Sequence, residues 1–317
     1  MATAFSPSNS VTTTTADKFI PDIWSDEIVA AYKKNLVLAN LVMKMNFKGK
    51  KGDTIHIPAP TRGSASAKAA EAAVTLIAAT ESEVTVSINK HYEYSRLIED
   101  IVEAQALNSL RNFYTSDAGY ALAKQVDTDL VQLGRSTNGG AGTNAYATGA
   151  FIGGDGTTAY VAANNNESAL TDAAIRRTIQ RLDDTDTPMD QRFFLIPPSS
   201  RNTLMGLARY TEQAFVGGTN STIRTGEIGN LYGIPVFVSS NCDTASGSNN
   251  ARVCLMGHRD AVVLVEQVAV RSQVQYKQEY LATLFTSDTL YGVQILRSAA
   301  SVSAAKSASM FALIVPA

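Results

Sequence analysis

The stretch NSLRNFYTSDAGYALAKQVDTDLVQLG, residues 108–134, decides how this chain is read. Leu110, Phe113, Tyr114, Ala118, Ala121, Leu122, Val126 and Leu130 recur near a helical period, with Arg111, Asp117, Lys124, Asp127 and Asp129 between them. Asn108 suits an N-cap and Gly134 a C-terminal stop. At about 1.5 Å per residue the helix would span roughly 40 Å, too long to be enclosed on all sides by one compact domain. It is expected to act as a brace between parts of the molecule.

Working outward, the 317 residues are 45% hydrophobic and 18% charged, ample apolar material for two cores or for one core with large excursions. A formal net charge of −2 gives no general pull toward nucleic acid or an anionic membrane, and the basic cluster at 48–51 is short. The cysteines, Cys242 and Cys254, lack metal spacing and are expected as two reduced thiols. Residues 1–16 have neither a basic start nor an apolar core, so they do not read as a signal peptide, and no apolar run reaches the ~20 residues needed to cross a bilayer. Folding in a reducing cytoplasm is the default expectation.

N-terminal to the helix, the Ser/Thr-rich residues 1–18 are too polar to order themselves and read as an arm that borrows contacts. Pro21 then precedes an apolar face at helical spacing, Ile23, Trp24, Ile28, Val29 and Tyr32, so residues 23–50 are expected to be a helical segment. The run KGKKGD at 48–53 is not a phosphate loop, because an extended segment follows where a helix would have to open. Residues 54–58 and the alternating Val84, Val86 and Ile88 read as two strands joined by a long small-residue tip. An isolated ribbon of this kind is marginal in water, which suggests either a reaching element completed by a neighbouring subunit or a surface hairpin folded back on its own domain.

C-terminal to the helix, residues 138–166 are rich in Gly, Asn, Ala and Thr and read as a surface excursion. A second helix is expected at 167–182, a buried strand at 193–196, a helix at 201–210 capped by Ser199 or Ser200, and several strands from 234 onward. The order argues for an α+β protein with a mixed or antiparallel sheet. No catalytic pattern is visible. His56, His91 and His258 lie in no metal or nucleophile motif, and Asp183, Asp184 and Asp186 stand in a turn before Pro188. No cofactor or metal is expected, and the chain does not read as an enzyme.

The sequence FFLIPP at 193–198 followed by a helix, and then GEIGNLYGIPVFV at 226–238, resembles the major capsid (coat) protein of tailed bacteriophages, whose fold is shared with encapsulins and the herpesvirus capsid floor. The resemblance implies an arm at 1–22, a helical segment at 23–50, an extended hairpin (E-loop) at 51–92 and a first peripheral part at 93–186. That part would hold the spine helix, at about 108–134, and the insertion at 138–166. An axial domain at 187–259 and return strands with the rest of the peripheral domain at 260–317 would follow. It further implies self-assembly through hexamers and pentamers into an icosahedral shell around double-stranded DNA, in the virion, after assembly in a host cytoplasm. Arg62, Lys68, Glu71, Glu81 and Glu83 are the expected intersubunit contacts of the hairpin, with Trp24 anchoring the arm. Because no long charged helical segment precedes the hairpin, the resemblance implies a separate scaffolding protein or none, with a portal and a decoration protein as further partners. DNA contact would be weak and non-specific, and no membrane is involved. The rival readings are an encapsulin-like compartment and, more distantly, an α+β hydrolase or small-molecule binding protein.

Overall fold

A computed structural model describes residues 37–48, 51–60, 65–71, 73–74, 76, 81–101, 110–136, 150–161, 164–207, 229–242, 251–296 and 309–317. The fold is α+β, built on two sheets that share one apolar seam. The first sheet contains β1 (Met43–Asn46), β4 (Lys90–Glu99), β10 (Val262–Lys277) and β11 (Ala282–Ile295), in the order β1-β10-β11-β4. The second contains β5 (Ala150–Ile152), β6 (Arg192–Ile196), β7 (Asn230–Leu231), β8 (Ile234–Val238), β9 (Ala251–His258) and β12 (Met310–Pro316), in the order β5-β12-β9-β6-β8-β7. It is mixed, with β5 parallel to β12 and β6 parallel to β8.

Period-two alternation explains why the second sheet's strands read as unbroken apolar runs. In β6, Phe193 and Leu195 join the seam, while Phe194 and Ile196 join a separate cluster on the opposite face. β9 splits in the same way, with Val253 and Leu255 against Cys254 and Met256. So does β12, with Ala312 and Ile314 against Phe311 and Leu313. The far face is covered by two helices, α3 (Asp172–Asp184) through Ala174, Ile175 and Leu182, and α4 (Pro198–Met205) through Leu204. Burial pushes the Cys254 thiol up to about 12, so this sulfur behaves as a small apolar group.

The seam face is covered by α2 (Leu110–Ser136), the long expected helix, through Val126, Leu130, Val131 and Leu133. Val262, Leu264 and Tyr291 of the first sheet enter the same cluster, so the helix braces both sheets. Gly134 does not end it. The helix continues to Ser136, and a Cβ at 134 would stand 2.9 Å from Leu255 Cδ1 and 3.1 Å from Met310 Sδ, so glycine here permits close helix-to-sheet approach. The expected cap at Asn108 lies outside the described residues.

Asp127 and Asp129, placed on the polar face by periodicity, are buried. Asp127 accepts from Leu38 N at 2.9 Å and Ala39 N at 3.3 Å, capping the short α1 (Leu38–Leu41), and from Asn241 Nδ2 at 3.1 Å. Its burial raises the carboxyl pKa against the pull of those donors. Asp129 accepts from Tyr291 Oη at 2.8 Å and Lys90 Nζ at 2.9 Å, which ties the helix to β11 and β4.

Other expectations are corrected. Residues 43–46, read as helix, form β1, because Met43 and Met45 alternate inward while the strand pairs in parallel with residues 263–266. Residues 90–99, for which no strand is expected above, form β4, paired along its whole length with β11. The excursion at 138–166 contributes β5 and a fully buried Tyr160, while Asp155 accepts from Thr157 N, Thr158 N and Thr158 Oγ1. Pro197, not a serine, occupies the N-cap of α4, with Pro198 at N1; Ser199 donates instead to Pro316 O and Ser200 lies against Cys254 Sγ. β12, expected among the peripheral return strands, pairs with β9 in the second sheet, and α3 packs on that sheet too.

Replacing Asp127 with alanine strands two backbone N–H groups and the Asn241 amide, and is expected to cost on the order of 2 kcal/mol in urea unfolding. Amide exchange at Leu38 and Ala39 should accelerate; unchanged stability and exchange would refute the role given to this carboxylate. Asp288 is held below the ordinary carboxylate value chiefly by Arg271, whose Nε and Nη2 donate at 2.7 and 2.9 Å, with His91 Nε2 at 3.1 Å. A depressed acid supports the fold above its unfolded pKa and ceases to as pH falls through the folded one. The stability gap between wild type and Asp288→Asn should therefore be larger at pH 7 than near pH 3.

Candidate assembly surface

The hairpin is built by β2 (Thr54–Pro60) and β3 (Glu81–Ser87), paired antiparallel from Thr54↔Ser87 to Pro60↔Glu81. Alternation divides its base. Ile55, Ile57, Val86 and Ile88 pack with Val263, Val265, Met43, Met45 and Phe47, while His56 and Glu83 face solvent. Gly292 of β11 makes this seating possible, because a Cβ there would stand 2.5 Å from Ser87 O and 3.2 Å from Ile88 Cα. The base is therefore clamped to the first sheet.

Beyond Pro60 and Glu81 the situation reverses. Residues 65–71, 73–74 and 76 are all exposed, and among them Val74 and Leu76 show 68% and 87% of their surface. Neither side chain enters an apolar cluster among the described residues. Their exposure makes this stretch a candidate contact surface.

The expected contact residues fall unevenly on this element. Lys68 and Glu71 are exposed at the tip, and Glu71 adopts a left-handed backbone with φ of 63°. Glu83 contacts His56 Nδ1 at 3.0 Å within its own hairpin; with both side chains more than half exposed, the pair adds little stability. Glu81 closes the ladder opposite Pro60. Arg62 and Trp24 lie outside the described residues.

A second surface was not anticipated from sequence. At the far end of the first sheet, Ile101, Tyr276, Tyr280 and Leu281 are 67%, 47%, 64% and 67% exposed, and Tyr276 Oη donates to Asp100 Oδ2 at 2.8 Å. The alternating Val274 and Tyr276 were the available signal, but alternation reports burial only when something covers the face.

The groups considered for catalysis do not converge. Asp183 is engaged by Arg192 Nη2 at 2.8 Å, and His258 Nδ1 accepts from Asp260 N at 3.1 Å to cap the turn between β9 and β10. Among the described residues there is no cluster of three His, Cys, Asp or Glu that could hold a metal. No described helix is long and apolar enough to cross a membrane.

A sequence profile of the phage capsid family matches residues 17–304. No curated protein matches the chain by sequence. A structure from Mycobacterium phage Che8 superposes with a TM-score of 0.73 at 21% identity, covering 93% of this chain and 97% of that one. The capsid of cyanophage P-SCSP1u gives 0.71 at 21% identity, covering 99% of each, and the mature capsid of bacteriophage PhiM1 gives 0.67 at 13%, covering 93% and 92%.

Gly292→Val should unseat the hairpin base, seen as faster amide exchange at residues 86–88 with the second sheet unaffected. Unaltered exchange there would mean that the close approach is not what holds the base.

Proposed function

The chain belongs to the phage capsid family, and from that premise we propose how this subunit builds its shell. It is a structural protein of an icosahedral virion capsid, one that associates with copies of itself. The hairpin, residues 51–92, lies across an adjacent subunit in hexamers and pentamers, and Arg62, Lys68, Glu71, Glu81 and Glu83 supply polar contacts there, while Trp24 anchors the arm. The observation that carries this reading is the exposure of Val74 and Leu76 on an element whose base is clamped. Burying such side chains contributes about 2 kcal/mol each before the ordering of the tip is subtracted.

A shell multiplies that modest contact. Each interface need be only of ordinary area, because loss of one subunit from a closed assembly breaks several contacts together. The formal charge of −2 suits a wall around packed double-stranded DNA, since a strongly basic inner face would bind phosphates and hinder filling and release. A separate scaffolding protein, a portal and a decoration protein complete the proposed assembly, which takes place in the host cytoplasm.

Negative-stain microscopy of the purified protein, alone and co-expressed with its neighbouring genes, is expected to show closed icosahedral particles; uniform monomers or dimers under both conditions would overturn the shell reading for this chain. Deleting residues 62–80 should leave subunits with a wild-type thermal unfolding transition that do not close. Normal shells from the deletion would sink the reaching hairpin.

A further inference from the structure

β10 is sixteen residues long, yet β1 covers one of its edges over residues 263–266 only. The strand then passes two irregularities, between Glu266 and Val268 and between Val268 and Arg271, after which residues 271–277 run in unbroken register with β11 on the other side. On the β1 side these seven residues have no strand partner among the described residues. Alternate residues therefore aim backbone N–H and C=O groups at solvent along a straight edge, the geometry that accepts an added strand. The edge is also little protected by its side chains. Its two charged residues are Arg271, engaged by Asp288, and Lys277, whereas Val274 and Tyr276 share one face and are each nearly half exposed. The opposite outer strand, β4, differs: it carries Lys90, Glu93, Arg96 and Glu99 along ten residues, the charged blunting typical of an edge kept free.

The chain supplies a matching strand. Residues 11–15, VTTTT, are five consecutive β-branched residues without charge or proline, strongly strand-forming and fit to sit in two-sided contact. They lie in the 36 residues before Val37, and the stretch between Thr15 and Val37 spans roughly 75 Å at most when fully extended. That segment leads directly into α1 and β1, and β1 already occupies the neighbouring stretch of this same edge. β1 runs parallel to β10 toward residue 266, so its first residue, Met43, stands beside Val263, away from residues 271–277.

We infer that residues 11–15 of an adjacent copy add as a strand to the open edge of β10 at residues 271–277, with Val11 or its alternating neighbours covering Val274 and Tyr276. The inference rests on the shell reading. The arm then forms a main-chain ladder that links two subunits independently of the hairpin, with affinity from backbone hydrogen bonds and selectivity from the exposed valine and tyrosine.

Hydrogen exchange read by mass spectrometry tests it on assembled shells of the full chain. Peptides covering 271–277 should exchange roughly ten-fold more slowly in wild-type shells than in unassembled subunits, and shells of Thr13→Pro should lose that protection while β11 keeps its own. An unprotected edge in wild-type shells overturns the inference. Protection that persists in Thr13→Pro shells also overturns it, assigning the edge to the hairpin tip or to another protein. If Thr13→Pro does not close, a labelled peptide of residues 8–18 is added to unassembled wild-type subunits. Saturable binding that the Thr13→Pro peptide lacks supports the inference, and equal or absent binding overturns it. Failure of the wild type to form shells is a separate outcome and counts against the shell reading itself.

Discussion

Two buried carboxylates on one helix hold this subunit together. Asp127 fixes α1 and Asn241 to α2, and Asp129 fixes Tyr291 and Lys90 to the next turn. Around them Leu130, Val131 and the inward residues of both sheets form one apolar seam. Hydrophobic burial alone is non-directional and would let the sheets slide along the helix. Buried acids whose lone pairs are already assigned penalise every such shift, because a displaced carboxylate would lie desolvated and unpaired.

This rigidity is what makes the projecting parts useful. The hairpin is clamped at its base by Gly292 and the cluster around Val86 and Val263, and the first sheet packs on α2 through Val262, Leu264 and Tyr291. Association then costs only the ordering of short segments, not of whole elements. The subunit thus has a braced body, in which one helix packs on both sheets, and exposed apolar side chains outside it at Val74, Leu76, Ile101 and Leu281.

The legibility of the chain follows the same division. The long helix, the doubly buried strand at 192–196 and the alternation of β3 could be read directly, because each carries a periodicity set by its own backbone geometry. The pairing of β2 with β3 was readable for the same reason. Asp127 and Asp129 were misread as solvent-facing, since a helical wheel sees charge and not the donors that tertiary contact brings to it. β4 was missed because its even alternation is diluted by charges that its edge position tolerates. Gly134 was taken for a stop because the same residue serves as terminator and as close-contact site, and only the nearness of Leu255 and Met310 tells them apart.

By itself the sequence determined the long helix, the buried strand at 193–196, the alternation of β3 and the class of fold, because these follow from local periodicity. Only the tertiary structure decided that β12 and α3 belong with the second sheet, that one helix serves both sheets, and that β10 leaves seven residues of edge uncovered. Strand neighbours distant in sequence are chosen by the complementarity of whole faces, a quantity that no local window of residues contains.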